Sequence, residues 1–298
     1  MKRILVYTTL LVISLMTSCY HIGPCVEGFG SLVEEVRDVN DFYSVSNTTS
    51  FDVYVTQSDS FAVIVNAQEN LLPIIETYKS GGTLIVKTRE ISCIRSTSSV
   101  KVYVSLQEIE ELHLTGSGMI VCDKVEGDIV ELSITSSGRM MVDSVFCEDL
   151  NIRATGSGDF ESLEIDADYT EVKITGSGQI DFGNMYADDL SVLHTSSGTV
   201  RGGIYGAYET DITMTGSGRT ILIGDSEDLT TSNSGSGRID ALDLLAVDVR
   251  THSTGSGNTY VNASGMLDVT ILGSGDVIYL GDPDINSRIT GSGNLRAY

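Results

Sequence analysis

The chain has no Trp, and it sets only 18 Lys and Arg against 41 Asp and Glu in 298 residues. Scarce positive charge argues against nucleic-acid and anionic-lipid partners, because a net negative chain is repelled by both. The missing Trp removes the strongest aromatic platform for a bound sugar ring and leaves that task to Tyr. The only apolar run near membrane length, Ile4 to Met16, is too short for a spanning helix. Five Cys are present, and their spacing matches no zinc pattern.

Some catalytic signatures are missing too. Glycine-serine elements are plentiful, but none has the Gly-Lys-Ser/Thr of a phosphate-binding loop opening a helix. None has the G-x-S-x-G of a nucleophile elbow. His113, His194 and His252 fall in three separate repeats and out of phase, His194 lying four residues before its repeat's last Gly and the others five. They form no ligand row, and the reading assigns no catalytic residue, metal or cofactor.

What the chain does contain is repetition. A [TSL]-[GS]-S-G element closes at Gly118, Gly138, Gly158, Gly178, Gly198, Gly218, Gly237, Gly257, Gly275 and Gly293, at intervals of 18 to 20 residues. Between copies the apolar residues alternate with period two. Val130, Leu132 and Ile134 in one repeat are followed by Leu150, Ile152 and Ala154 in the next, with polar Glu131, Ser133, Asn151 and Arg153 between them. This is the pattern of a strand with one buried face.

Twenty residues cannot enclose a core alone, so each repeat must bury its apolar face by stacking on its neighbours. The expected fold is all-β: a single-stranded right-handed parallel β-helix of about 20 residues per coil, forming a rod on the order of 48 Å long. The closing Gly reads as a corner needing dihedrals that a Cβ would penalise. The Ser before it should stack into a file of hydroxyls along the axis.

The ends depart from the period. Lys2 and Arg3, the apolar run and "MTSC" resemble a bacterial lipoprotein leader over residues 1–18, which implies lipid on Cys19 and membrane attachment through that lipid alone. Residues 19–40 lack periodicity and read as a tether. Residues 42–110 alternate without the repeat, as in Phe51, Val53 and Val55, and suit either irregular first coils or a capping sheet. The regular repeats occupy 111–298. Little sequence follows the last element, so the end of the stack is expected to be covered by another chain or by a second copy. In an oxidising compartment Cys25, Cys93, Cys122 and Cys147 allow a disulfide whose connectivity the sequence leaves open.

Asp128, Glu148, Asp168, Asp188 and Glu227 each stand ten residues before a closing Gly. Two accounts of this column are open: solvated turn residues, or oxygen ligands for Ca²⁺ between coils. The G-G-x-G-x-D pattern of Ca²⁺-binding β-helices is absent. Tyr205 and Tyr208, in "GGIYGAYET", interrupt an otherwise small-residue stretch and are the candidate ligand-binding residues.

The block "DFYSVSNTTSFDVYVTQSDSFAVIVNAQENLLPIIETYKSGGTLIVKT" followed by tandem T-G-S-G repeats resembles the putative auto-transporter adhesin head GIN domain family of Bacteroidetes-type bacteria. The resemblance covers 41–298 and implies an exported, non-enzymatic β-helical protein, often an outer-membrane lipoprotein on the periplasmic face or cell surface. A glycan or surface protein is the implied ligand. The alternative is a polysaccharide-binding or polysaccharide-degrading β-helix.

Overall fold

The computed structural model describes residues 25–89, 94–96 and 98–298. From Glu111 onward the chain winds as a parallel β-solenoid, about nine turns of roughly 20 residues making up the whole stack. Strands such as Arg139–Ala154, Asp159–Ile174 and Gln179–His194 each run nearly once round a coil. Each pairs in parallel with the next at a 20-residue offset: Leu150 with Thr170, Val172 with Val192, Phe160 with Ile180. The alternation dictates what is inside. Val130, Leu132, Leu150, Ile152, Val172 and Val192 are buried and form files along the axis.

The structure changes the reason for the closing Gly. None of the ten closing glycines has a positive φ. The constraint is proximity: a Cβ on Gly178 would lie 1.9 Å from the carbonyl oxygen of Gly158 one coil below. The corner is therefore not a loop. Its amides continue the ladder, as in Ser157 N–H to the Ser136 oxygen at 3.0 Å and Gly257 N–H to the Gly235 oxygen at 3.1 Å. Glycine lets backbone meet backbone at a bend where a side chain would hold the coils apart. The hydroxyl file is visible in places, with Ser177 and Ser197 at 3.4 Å and Ser292 donating to Ser274 at 3.0 Å.

The first layers are built out of chain order. Ser44–Asn47 pairs in parallel with Thr83–Thr88 on one side and with Glu111–Leu114 on the other. Asp52–Gln57 likewise lies between Lys101–Leu106 and Met119–Glu126. The earliest coil in sequence is thus second in the stack, and the link from Leu106 to Glu111 steps past it.

Antiparallel strands then cover the outermost layer. Ala62–Gln68 pairs with Lys101–Leu106, Leu32–Arg37 pairs with Ala62–Gln68, and Ile75–Ser80 forms a hairpin with Thr83–Thr88. Reversing strand direction ends the parallel stack and protects its edge. The segment expected as a tether is consequently part of the fold from Val26 onward, since Val26–Glu27 and Leu32–Arg37 are both paired strands. Irregular coils and a cap are both present in 42–110. No helix among the described residues is long and apolar enough to cross a membrane.

Candidate functional site

Between consecutive corners each coil presents one outward wall on which two exposed files run side by side. In the first, Asp166 stacks on Tyr186 and Tyr186 on Tyr205. In the second, ten residues before the closing Gly, the acidic sequence Glu148, Asp168, Asp188 is interrupted by Tyr208 before Glu227 resumes it. Ala167, Ala187 and Ala207 turn inward between the files.

The "YGAY" segment is displaced from the regular ladder. The register slips between Tyr186 and Asp189 on one side and between Ile204 and Ala207 on the other, with Gly206 at φ +73° at the centre. A bulge of this kind re-aims the side chains around it. The Gly206 N–H donates to Asp225 Oδ2 at 2.9 Å, which holds the bulge against the next coil. Tyr205 tilts against Tyr186 with ring centroids 5.8 Å apart, its ring lying where a Cβ on Gly203 would come within 2.8 Å of it.

Tyr208 stands in the second file of the same wall and lines a hollow of about 310 Å³ that also has Leu245, Val247, Asp225 and Glu227 in its walls. Tyr186, Tyr208, Leu245 and Val247 are 47 %, 62 %, 48 % and 49 % exposed, large apolar groups on one face, with the coil that carries Asp225 and Glu227 between Tyr208 and Leu245. The two predicted tyrosines occupy neighbouring files of one wall: Tyr205 packs on Tyr186, and Tyr208 lines the hollow. Sequence reasoning passed over Leu245 and Val247 as site residues. Their signal was available, because both stand at register positions filled by Asp225 and Glu227 one coil earlier.

A larger hollow of about 530 Å³ lies where the cap meets the first regular coil. Glu108, Glu110, Glu111, Asp128 and Glu131 line it together with Tyr43 and Ile129, and no Lys or Arg among the described residues does. Among the described residues no group of three or more His, Cys, Asp or Glu is arranged to hold a metal ion. The sequence offered little warning of it, because its walls come from four separate stretches of chain.

The remaining polar candidates are dispersed. His113 hydrogen-bonds Ser133 and lies 3.8 Å from Glu111. His252 is on the surface. His194 lies in the core, its Nδ1 3.0 Å from Thr220 Oγ1 and its Nε2 with no hydrogen-bond partner among the described residues. Burial holds that imidazole below its ordinary range, opposed by contact with the Gly198 backbone. Cys25 is disulfide-bonded and Cys122 and Cys147 are free. Burial pushes both free thiols up to about 12, so they stay protonated and unreactive. Cys19 and Cys93 lie outside the described residues.

The family model for "Putative auto-transporter adhesin, head GIN domain" matches residues 41–202 and 205–283. The chain belongs to this family. The two matched stretches of this head GIN chain meet at Gly203 and Ile204, immediately before the bulge that carries both tyrosines. A crystal structure of a putative adhesin from Parabacteroides merdae is similar at 19 % identity and TM-score 0.59, covering 93 % of this chain and all of that one. A putative adhesin from Parabacteroides distasonis is similar at 18 % identity and TM-score 0.55, covering 92 % of this chain and all of that one. These likenesses show the fold. No curated protein matches the chain. Family membership supports an adhesin-like role for an exported, cell-surface protein.

Proposed function

We propose that the protein is a non-enzymatic, adhesin-like binding module that holds a surface glycan against the wall formed by Tyr186, Tyr205 and Tyr208. The observation that carries this reading is the set of exposed aromatic and apolar side chains on one face of the stack, with the carboxylates Asp225 and Glu227 on the coil between them. Tyr rings offer an apolar face to the C–H side of a sugar while their hydroxyls stay hydrated. Carboxylates accept hydrogen bonds from its hydroxyls. Both groups stand on hydrogen-bonded coils, so little conformational entropy is lost when a ligand settles. The leader and Cys19 would tether this wall to the outer membrane through a diacylglycerol.

A glycan array probed with the purified protein, with and without Ca²⁺, tests the ligand class. Tyr208→Ala and Tyr186→Ala should each abolish or strongly weaken the signal while leaving the thermal midpoint near that of the parent. An empty array, or binding indifferent to both substitutions, overturns the reading. Metabolic labelling with radioactive palmitate tests the anchor: label should be lost in Cys19→Ser, and label that persists removes the lipoprotein assignment.

The second reading, a polysaccharide-degrading β-helix, is favoured by one feature, the placement of Asp225 and Glu227 beside Tyr208. It requires that the wild-type protein release reducing ends or unsaturated products from a bound glycan, and that Glu227→Gln stop the release without stopping binding.

A further inference from the structure

The two ends of the stack are finished differently. At the start, antiparallel strands close the edge. At the other end, Asp284–Ile289 pairs with Met266–Ile271 along one edge, and no described strand pairs with the other. Ile285, Ser287 and Ile289 continue the files of Leu267, Val269 and Ile271, which are fully buried, yet Ile285 and Ile289 are 44 % and 43 % exposed. Among the described residues, nothing covers this section through the core.

The direction of the free peptide groups follows from one bond. Thr290 N–H donates down to the Ile271 oxygen at 2.9 Å. Since peptide groups alternate along a parallel strand, those of Arg288 and Asn286 also face the coil below, and those of Ile285, Ser287 and Ile289 face the open edge.

The side chains facing outward from this strand are Asp284, Asn286 and Arg288. Read backwards, with charges exchanged, the order is complementary to itself. An antiparallel pairing of the strand with its own copy, centred on Asn286, sets Asp284 opposite the second copy's Arg288 and Arg288 opposite its Asp284. In that register Ile285 and Ser287 form the hydrogen-bonded pairs across the seam, which is what their outward peptide groups require. Asp284 and Arg288 then fall at non-hydrogen-bonded pairs, where opposing side chains stand closer.

Two further facts fit. Arg201, Arg219, Arg238 and Arg296 each pair with an Asp within 3.0 Å, whereas Asp284 and Arg288 have no ion-pair partner among the described residues. A two-fold axis perpendicular to this strand also keeps the inward faces of both copies on the same side of the joined sheet. The Ile285 and Ile289 of each rod would then face a core that runs on into its partner.

We propose that this end of the solenoid is a homodimer seam, formed when the Asp284–Ile289 strand pairs antiparallel with the same strand of a second copy through reciprocal Asp284–Arg288 contacts. The result is a doubled rod with a tyrosine wall on each half, able to engage a repetitive surface at two points. The seam does not depend on what the wall binds.

Analytical ultracentrifugation of the purified full chain at micromolar concentration tests the proposal. The wild type should sediment at twice the monomer mass. Asp284→Arg and Arg288→Asp, each placing like charges across the seam, should each run at half that mass with an unchanged circular-dichroism spectrum. Mixing the two variants in equal amounts should restore the doubled mass, because every contact between unlike copies is then Arg against Asp. Ser287→Pro, which removes an edge N–H, should give a monomer that no mixing rescues. A monomeric wild type overturns the proposal. So does a dimer that survives either charge reversal, which would indicate a head-to-tail contact or another surface, and so does failure of the mixture to re-associate.

Discussion

The cap and the regular coils use the same alternating strands and bury the same kinds of side chain, yet they are specified differently. From Glu111 onward each coil meets a near copy of itself, so register, corner and core file repeat with the sequence period. Before Leu106 no such copy exists. There the chain interleaves its coils out of order and closes the edge with three antiparallel pairings. A repeat can encode its own propagation but cannot encode its own termination, because every copy carries the same instruction to add another.

If that contrast is right, adding a side chain should be costly in the stack and cheap in the cap. Gly178→Val places atoms against the backbone carbonyl of Gly158, and should cost about 3 kcal/mol or more in chemical denaturation. An unchanged midpoint would mean that the corner is not closely stacked. Gly81 is in the cap hairpin at φ +62° with open space around its missing Cβ. Gly81→Ala should cost about 1 kcal/mol, from backbone conformation alone.

His194 tests the stack from inside. Replacing it with Ile, which matches Ile174 one coil below, removes a buried Nε2 that lacks a partner. The expected gain is about 1 kcal/mol at neutral pH. The gain should grow in acid. The folded imidazole titrates below its ordinary range, so below roughly pH 6.5 the unfolded chain takes up a proton that the folded one refuses. Wild-type stability should therefore fall through that window, and the fall should be smaller in His194→Ile. Equal pH profiles would show that His194 is not buried as a neutral group. The smallest effect belongs to the cap surface: Val36 is 74 % exposed, and Val36→Ser should shift stability by less than about 0.5 kcal/mol.

The legible parts of the fold were those written at short range. Val130, Leu132 and Ile134 announced a half-buried strand, and the recurrence of that pattern announced the stack. Tyr205 and Tyr208 were likewise visible as interruptions of a small-residue stretch, because a period makes an exception visible. Other features had no local trace. Ser44–Asn47 contacts Glu111–Leu114 across a long stretch of intervening chain, and nothing in either segment names the other. The register slips around Gly206, which put Tyr205 against Tyr186 and Tyr208 at the hollow, could not be read from the spacing of the two tyrosines. His194 stands one residue out of phase with His113 and His252, which was enough to turn it into the core.

The sequence by itself determined the period, the inward face of each strand and the need for stacking, because these follow from alternation and from a repeat too short to bury its own apolar residues. Only the tertiary structure decided why the closing residue must be Gly, how the first coils interleave, and which exposed side chains share a wall. Those depend on distances between backbones and on register slips between coils, quantities that arise when the chain is wound upon itself.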